Sequence, residues 1–496
     1  MIATQLPALQ IVIPLLAAPL IVLARRSEMA WVIAVIANIL CVLVAWQLFG
    51  LVSEQGIIRY SLGGWAAPTG IEYFVDTINA PLLLLISSVS AIVVVYAYHS
   101  VKKSVDSTKH YLFYAAWMLC LSGLLGMLIT GDAFNVFVFL EISSLSTYML
   151  IAFGNDRRAL TASFRYLVLG SIGASFILIG IGFLYAATGS LNMLDLSQRI
   201  PNAASERAVL VAFSFISIGL MIKSAIFPLH AWLANAYHFA PISVTAFLAG
   251  TATKVSLYVL LRFLFSVFGT QYNFEYLLFN VILLPAAIFG FLIMSVVAVF
   301  QTDLRRMLAY SSVAQIGYIV AGISLATQAG ITAGYAHIIN HALIKSALFM
   351  SVGCIIYRLG HAHRPSLDNL IKTMPLTCAA FIISGLSLIG VPLTGGFVSK
   401  FTLISASMEK GWWIMGGLVL VSSVLAIIYI GRVVDVMLFR KQRLPNPIPQ
   451  GRNEAPLSML VPMYVLIGLS LYLGVFGSKT LGVASEAATQ LLGGFR

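Results

Sequence analysis

The chain has 496 residues, of which 60% are hydrophobic and only 9% carry a charge. Soluble domains contain about 25% charged residues, so this composition excludes a soluble globular protein and indicates a membrane protein. A formal net charge of +12 could point to nucleic acid. In a membrane protein, however, basic loops on one side of the bilayer explain such an excess. We therefore expect a lipid bilayer and no nucleic acid as partner.

The apolar stretches predict an all-α polytopic membrane protein, because a spanning helix needs about 20 apolar residues. About fourteen transmembrane helices are predicted, centred near residues 15, 42, 86, 121, 143, 174, 219, 255, 287, 315, 345, 390, 425 and 467. The first stretch begins at Leu6 without a basic leader, so we expect a retained helix rather than a signal peptide. The four cysteines lack metal-binding spacing, and no nucleotide, haem or iron–sulfur motif is present. We expect no cofactor, no metal and no catalytic chemistry in this chain.

Lysine and arginine are distributed unevenly between the two sets of loops. Most of the 29 basic residues fall on one side, including Arg25, Arg26, Lys102, Lys103 and Arg306. Because cytoplasmic loops carry an excess of Lys and Arg, both termini are predicted on the non-cytoplasmic side of the cell (inner) membrane. The basic residues inside predicted helices are Lys223, Lys254, Arg262, Lys345 and Lys400.

An internal repeat divides the chain. An offset near 168 residues aligns Ser143-Ser144-Leu145-Ser146 with Ser311-Ser312-Val313-Ala314 and superposes predicted helices 6, 7 and 8 on helices 11, 12 and 13. The predicted segments are an N-terminal three-helix segment (1–110), a five-helix repeat (111–268), a second such repeat (276–440), and a C-terminal helix and tail (457–496). Because five is odd, the second repeat must insert upside down, which is the inverted-repeat plan of secondary transporters.

Predicted helices 5 and 7 carry an acidic and a basic residue at membrane depth. Each ionisable group at the bilayer centre costs roughly 2.5 to 3.5 kcal/mol, so a partner is required. Glu141 of helix 5 and Lys223 of helix 7 are predicted to form a pair whose proton affinity depends on their contact. A static buried ion pair is the alternative.

Predicted helices 7 and 12 are each interrupted by proline. Pro228 lies in Ile226-Phe227-Pro228-Leu229-His230, and Pro392 is followed by Gly395 and Gly396. Proline lacks the amide proton and opens a helix, and opened backbone at membrane depth is tolerated where protein or a wet cavity surrounds it. Simple kinks in packed helices are the alternative.

Further titratable residues follow along the chain. His337, His341 and Lys345 of helix 11 lie at i, i+4 and i+8 on one helix face, which predicts a proton relay. Lys254 of helix 8 is predicted as a central relay between this face and the first pair. Lys400, after the second break, is predicted as a terminal exchange site. For Lys400 the alternative is a side chain that extends to the membrane interface.

Three stretches, Asn135–Glu141 (NVFVFLE), Lys223–Leu233 (KSAIFPLHAWL) and Tyr310–Tyr318 (YSSVAQIGY), resemble the proton-conducting membrane transporter family. That family comprises the D and A components of Mrp antiporters, the antiporter-like components of complex I, and components of membrane-bound hydrogenases. The resemblance implies fourteen helices with inverted five-helix repeats. It also implies that Glu141 and Lys223 form the helix 5 and helix 7 pair, that Lys254 and the His337/His341 region form a central hydrophilic axis, and that Lys400 is the helix 12 site.

The resemblance also bears on the parent complex. A lysine at position 400, and an end soon after helix 14, resemble the Mrp D component or a hydrogenase-type relative. The predicted function is a proton-translocating subunit of a multisubunit Na⁺/H⁺ antiporter, with other membrane subunits, H⁺ and a monovalent cation as partners. The alternative is a proton-pumping subunit of a complex I-like NADH:quinone oxidoreductase or a membrane-bound hydrogenase.

Overall fold

The computed structural model describes residues 2–203, 205–269, 278–440 and 453–494, and most of them are helical. Within these ranges, twelve helices are long and apolar enough to cross a membrane. Two further crossings, helices 7 and 12, each consist of two half-helices. The prediction of fourteen crossings in an all-α membrane protein is therefore confirmed.

The membrane helices are numbered in chain order. They are Ile2–Ala24 (helix 1), Ser27–Gln55 (helix 2), Ala80–Ser104 (helix 3), His110–Ile129 (helix 4), Ala133–Ala152 (helix 5), Arg158–Thr188 (helix 6), Glu206–Lys223 (helix 7a), Ala231–Phe239 (helix 7b), Ile242–Gly250 with Ala252–Leu261 and the π-helical Arg262–Val267 (helix 8), the π-helical Leu278–Leu283 with Leu284–Phe300 (helix 9), Leu304–Ser324 (helix 10), Gln328–Leu359 (helix 11), Pro375–Ile389 (helix 12a), Gly395–Glu409 (helix 12b), Trp413–Leu438 (helix 13) and Leu457–Val475 (helix 14).

Smaller elements lie between and after these helices. Strands β1 (Ile58–Ser61) and β2 (Glu72–Val75) form an antiparallel hairpin, in which Ile58 is opposite Val75. A short helix spans Met193–Arg199, and single 3₁₀ turns cover Leu62–Gly64, Ser107–Lys109, Ile200–Asn202, Arg364–Ser366 and Leu370–Lys372.

The predicted C-terminal tail contains a further helix, Gly477–Gly493. Its buried side chains are spaced by three or four residues and form one face: Thr480, Ala484, Ala487, Ala488 and Leu491. This face packs on helix 11. The helix is amphipathic and lacks the long apolar stretch of a membrane-spanning segment, so apolar length alone does not predict it.

The two predicted repeats have the same neighbour relations. Helices 4–5, 5–6 and 6–7 pack together in the first set, and helices 9–10, 10–11 and 11–12 do so in the second. The first helix of each set also contacts the last. The predicted boundaries 111–268 and 276–440 remain predictions, and position 276 lies outside the described residues, as does the basic stretch 441–452.

Close helix packing relies on glycine where backbones approach each other. On helices 6 and 7a, a Cβ at Gly173 would lie 3.2 Å from the carbonyl oxygen of Gly219, and a Cβ at Gly219 would lie 2.5 Å from that of Gly173. Small residues are the usual means of close approach between membrane helices, since lipid provides no hydrophobic drive for association. This contact fixes the position of the end of helix 7a.

Both predicted breaks are present, although they begin before the prolines. Helix 7a ends at Lys223 and helix 7b begins at Ala231, so Pro228 lies inside the opened stretch. Helix 12a ends at Ile389 and Pro392 lies in the second opened stretch. Gly395 and Gly396, predicted as part of that interruption, form the first turn of helix 12b instead. There glycine is needed for close packing on helix 11, as described below.

Candidate functional site

The first cluster of buried charges lies at the end of helix 7a. Lys223 Nζ lies 4.0 Å from Glu141 Oε1 of helix 5 and donates a 2.7 Å hydrogen bond to Ser144 Oγ, one turn further along that helix. The Lys223 side chain is only 3% exposed. The ammonium group therefore has one charged and one neutral partner on the same neighbouring helix.

A glycine of helix 6, Gly170, leaves space for the Lys223 side chain. A Cβ at Gly170 would collide with the hydroxyl of Tyr148 and would reach to 3.4 Å from Lys223 Nζ. At the break itself, Trp232 Nε1 donates a 2.9 Å hydrogen bond to the carbonyl oxygen of Ile222. The opened end of helix 7a is thus stabilised by a side chain from helix 7b, as buried backbone groups require partners.

Glu141 differs from the other buried ionisable groups because its side chain is 26% exposed. It lies in a row of outward-facing residues of helix 5 that also includes Phe134, Val138, Leu145 and Met149. These apolar neighbours are exposed at intervals of three or four residues and so form one helix face. A carboxylate in the middle of an apolar outward face is costly next to lipid.

Lys254 lies at an irregularity of helix 8. The helix is interrupted at Thr251, whose backbone departs from helical geometry with φ −122° and ψ −66°. Lys254 Nζ donates to the carbonyl oxygen of Ala249, before the interruption, and lies 3.3 Å from Thr253 Oγ1. Its side chain is almost fully buried. All of its hydrogen-bond partners in the described part of the chain belong to its own helix.

Helix 11 contributes the two histidines. His337 Nδ1 lies 2.8 Å from Ser399 Oγ of helix 12b, and His337 Nε2 lies 3.0 Å from Gln315 Oε1 of helix 10. The His341 ring stacks parallel to that of His337, with the ring centroids 6.0 Å apart. Among the described residues, neither ring nitrogen of His341 has a hydrogen-bond partner. His337 is therefore fixed from both sides, whereas His341 has both nitrogens available.

Lys345 and Lys400 each bind backbone carbonyls. Lys345 Nζ donates to the carbonyl oxygen of Leu308 at 3.0 Å and to Ser311 Oγ, both on helix 10. Lys400 Nζ extends back across the second break to the carbonyl oxygens of Leu388 and Ile389, at 2.9 and 3.1 Å. The carbonyls at a helix C-terminus lack backbone partners and carry partial negative charge. Lys400 is therefore buried and caps the C-terminus of helix 12a.

An aromatic residue connects this lysine with the histidines. The ring of Tyr318 on helix 10 lies 4.7 Å from Lys400 Nζ and meets the His337 ring edge-on, with centroids 5.8 Å apart. Its hydroxyl donates a 2.7 Å hydrogen bond to Ser422 Oγ of helix 13. Helices 10, 11, 12 and 13 therefore converge on one polar cluster inside the second repeat.

The predicted path is only partly continuous. Glu141 and Lys223 lie together, and His337, His341 and Lys400 lie together. Within the described ranges, no hydrogen bond joins Lys254 to either group. The part of helix 8 that precedes Lys254 packs on helix 11, which carries both histidines.

Several polar residues around these groups were not predicted as site residues. Ser144 and Ser311 bind Lys223 and Lys345, and both lie in the two stretches that reveal the repeat. Gln315 lies in the stretch Tyr310–Tyr318 that carries the family resemblance. The internal repeat and the family resemblance were therefore the sequence features that could have identified these three residues. Ser399, next to Lys400, had none, because a single serine in a membrane helix is not distinctive.

Arg262 of helix 8, one of the five basic residues inside the predicted helices, is buried in an ion pair. Arg262 Nη2 lies 2.5 Å from Asp76 Oδ2, and both side chains are at most 2% exposed. Asp76 also accepts the backbone N–H groups of Ile78 and Asn79 before helix 3. Arg262 Nε donates a further 2.9 Å hydrogen bond to the hydroxyl of Tyr258. This network joins the segment before helix 3 to the C-terminal part of helix 8.

Comparison with known proteins identifies related chains over nearly the whole length. The family model described as NADH:quinone oxidoreductase/Mrp antiporter, transmembrane region, matches residues 130–426. The N subunit of the NADH-quinone oxidoreductase of Desulforudis audaxviator is 41% identical over 433 residues, which are 85% of each chain. The D subunit of the Na⁺/H⁺ antiporter of Bacillus subtilis is 30% identical over 485 residues, covering 98% of this chain and 96% of that protein.

Chains of two solved complexes also match this chain over nearly its whole length. A chain of the Mrp complex from Dietzia sp. DQ12-45-1b superposes with a TM-score of 0.89 at 25% identity, covering 99% of this chain and 98% of the other. A chain of the membrane-bound sulfane sulfur reductase, an archaeal respiratory membrane complex, superposes with a TM-score of 0.90 at 31% identity, covering 98% of both. The fold is therefore shared with subunits of both kinds of complex.

Proposed function

The chain belongs to the NADH:quinone oxidoreductase/Mrp antiporter transmembrane family, and on this premise we propose that it is the proton-translocating subunit of a multisubunit Na⁺/H⁺ antiporter. Relatives named as the D subunit of such an antiporter match almost the whole chain. The proposed activity is exchange of protons for sodium or another monovalent cation across the cell membrane, with other membrane subunits as partners.

The observation that carries this proposal is the geometry at the first break. Lys223 Nζ donates to Ser144 Oγ at 2.7 Å, while Glu141 Oε1 lies 4.0 Å away and accepts no hydrogen bond in the described part of the chain. An ammonium group held by a neutral hydroxyl can approach or leave the carboxylate with a small movement. Contact with Glu141 favours the charged lysine, and separation favours its release of a proton.

The proton is proposed to pass from Glu141 and Lys223 to Lys254, then to His341 and His337, and finally to Lys400. His341 suits the intermediate position because its two ring nitrogens can accept a proton on one side and release one on the other. Lys345 is proposed to set the charge around His341 from the same helix. The gaps on either side of Lys254 are longer than direct hydrogen bonds, so we propose that water crosses them.

The orientation is part of the proposal. The side that holds Arg25, Arg26, Lys102, Lys103 and Arg306 is placed in the cytoplasm by the positive-inside rule. Both termini then lie on the non-cytoplasmic side, and the breaks of helices 7 and 12 lie within the membrane.

A partner subunit is proposed to cover the outward face of helix 5. Glu141 is the only acidic residue in that helix, and its exposed apolar neighbours suit a neighbouring membrane helix as well as lipid. A polar group of the partner next to Glu141 would lower the cost of the exposed carboxylate. Movement of that group would also change the balance between Glu141 and Lys223.

The test uses inverted vesicles that contain the whole complex. We expect Glu141→Gln and Lys223→Ala each to lower the cation-dependent change in internal pH by at least about tenfold. Each variant removes one member of the pair and leaves the charge of the other uncompensated. Glu409→Gln, an exposed glutamate at the end of helix 12b, is the matched control and should leave transport unchanged. Wild-type transport in both site variants would contradict the proposal.

A second candidate function is supported by the 41% identity to the N subunit of an NADH-quinone oxidoreductase. In that case the same path would be driven by redox chemistry in other subunits. Co-purification separates the two functions, since an antiporter complex would contain only membrane transport subunits. Iron–sulfur or nickel subunits in the purified complex would favour the redox-driven alternative.

A further inference from the structure

A half-open cavity of about 250 Å³ lies at the basic side of the molecule, where helix 6, helix 7b and the start of helix 10 meet. Arginines from two of these helices line it, namely Arg158, Arg165 and Arg306, together with Asn235 and Phe239 of helix 7b. The volume is large enough for several water-sized groups. None of these residues belongs to the proposed proton path.

The charges of this cavity are only partly balanced. Arg158 pairs with Asp156 at 2.5 Å, and this hydrogen-bonded contact holds the pKa of Asp156 at about 2. Asp156 is therefore ionised at neutral pH and offsets one of the three arginines. In the part of the chain that the structure describes, no carboxylate lies within salt-bridge distance of Arg165 or Arg306. The cavity thus has an excess of positive charge.

The aromatic ring of Phe239 orders two of the guanidinium groups. Arg158 Cζ lies 4.9 Å and Arg306 Cζ lies 5.8 Å from its centroid. Cation–π contacts of this kind hold arginine side chains in place without neutralising them. Their planar N–H donors match phosphate oxygens, and the Asn235 amide adds a neutral donor. An arginine-lined cavity of this kind is unfavourable for a cation and favourable for a phosphate group.

The surroundings of the cavity indicate a lipid phosphate rather than a soluble one. Leu160 and Phe164, on the helix 6 turns that also carry Arg158 and Arg165, are 61% and 64% exposed, and Val168 follows one turn later. Acyl chains can lie along this apolar face while the headgroup reaches the arginines. Basic pockets between membrane helices on the cytoplasmic side bind anionic headgroups. We propose that this cavity binds the phosphate-bearing headgroup of an anionic phospholipid.

The test is native mass spectrometry of the purified full-length chain after incubation with equal amounts of phosphatidylglycerol and phosphatidylcholine of the same acyl composition. Wild-type protein should retain phosphatidylglycerol in preference to phosphatidylcholine. The double variant Arg165→Gln/Arg306→Gln should bind phosphatidylglycerol about 30-fold more weakly, as expected for loss of two basic side chains at an anionic surface. Its retention of phosphatidylcholine should not change.

The matched control is Arg26→Gln/Lys109→Gln, which removes two exposed charges from the same side but outside the cavity. It should keep the wild-type preference, and all variants should unfold at the same temperature in phosphatidylcholine alone. Equal retention of both lipids by wild-type protein would overturn the proposal. So would displacement of phosphatidylglycerol by inorganic phosphate at an equal concentration, or loss of the lipid preference in the assembled complex, which would assign the cavity to a partner subunit.

Discussion

The buried lysines of this chain are held mainly by neutral oxygen atoms. Lys254, Lys345 and Lys400 donate to backbone carbonyls, and Lys223 and Lys345 donate to serine hydroxyls. A carbonyl or hydroxyl can accept a hydrogen bond from a charged ammonium and from a neutral amine alike. Lys254, Lys345 and Lys400 can therefore lose a proton without leaving an unpaired buried carboxylate behind, whereas Lys223 also has Glu141 at 4.0 Å. This property suits groups that pass protons on.

Arg262 has the opposite arrangement, because its partner Asp76 is charged and both side chains are buried. Removing one member of a buried pair leaves the other charge uncompensated, at a cost of about 3 to 5 kcal/mol. We expect Asp76→Ala to lower the unfolding temperature of the purified chain markedly. The double variant Asp76→Leu/Arg262→Met should recover much of that loss.

The control for this pair is Asp156→Ala, which breaks the exposed contact with Arg158. Exposed ion pairs contribute little to stability, so this variant should unfold close to the wild-type temperature. An Asp76→Ala protein as stable as the Asp156→Ala protein would show that Arg262 finds sufficient partners without Asp76.

At the scale of the helices, the second break depends on close contact between helices 11 and 12b. The amide of Asn340 donates a 2.6 Å hydrogen bond to the carbonyl oxygen of Gly395, and a Cβ at Gly395 would lie only 2.5 Å from Asn340 Oδ1. The same contact brings Ser399 within reach of His337. Glycine at position 395 therefore allows the polar cluster to form.

Gly395→Ala is accordingly expected to push helix 12b away from helix 11. Overpacking of this kind costs about 1 to 3 kcal/mol, and the longer distance between His337 and Ser399 should also lower proton transport. The measurements are the unfolding temperature and the pH change in vesicles. Gly417→Ala is the control, because nothing lies within 4 Å of a Cβ there. It should be neutral or slightly stabilising, since alanine favours a helix over glycine.

Most of the helices could be predicted from the sequence, but their irregularities could be predicted only where proline marks them. Apolar length and composition are enough to locate fourteen crossings. The interruption of helix 8 at Thr251 directly follows Gly250 but contains no proline, and it was not predicted. The end of helix 7a at Lys223, before Pro228, depends on contacts with helices 5 and 6 that are distant in sequence.

In the site, too, features within one helix could be predicted from the sequence, whereas contacts between distant helices could not. Spacing alone placed His337 and His341 on one face of helix 11. The pairing of Glu141 with Lys223 followed from the cost of burying either charge alone. Ser144 and Ser399 are hydrogen-bond partners of Lys223 and His337 from other helices. They could be identified only from the packing of the whole bundle.

At the scale of the whole molecule, a polar contact on the basic side joins the two predicted repeats. Asp303, before helix 10, lies 3.0 Å from His238 Nδ1 of helix 7b and accepts the backbone N–H groups of Arg305 and Arg306. Its backbone also pairs with His363 in the loop between helices 11 and 12a. Asp303 thus connects three segments from both halves of the chain.

This contact should weaken in acid. Burial alone would raise the pKa of the Asp303 carboxyl, but the hydrogen bond from His238 and the nearby charges of His238 and Arg305 outweigh it and lower the pKa below the ordinary 3.8. A carboxyl with a lowered pKa contributes stability above about pH 3.8, and this contribution is lost as the pH falls through the folded-state value. Wild-type protein should therefore unfold at a higher temperature than Asp303→Asn at pH 6.

The difference between these two proteins should shrink as the pH approaches 3, because the carboxyl is then increasingly protonated in both the folded and the unfolded wild type. Asp368→Asn, in the loop before helix 12a, serves as the control and should follow the wild type at every pH. A difference that persists unchanged at pH 3 would show that the carboxylate charge is not the source of the stability.

The exposed position of Glu141 also has a consequence for how the protein is produced in the cell. If a partner subunit covers the outward face of helix 5 as proposed, a newly inserted chain presents a partly exposed carboxylate in the middle of that helix until assembly. Such a chain is less stably inserted than the finished assembly, because an uncovered charge at this depth is costly. Excess copies made without partners should therefore be the preferred substrates of membrane proteases. The residue proposed for proton transfer would then also distinguish assembled chains from orphans.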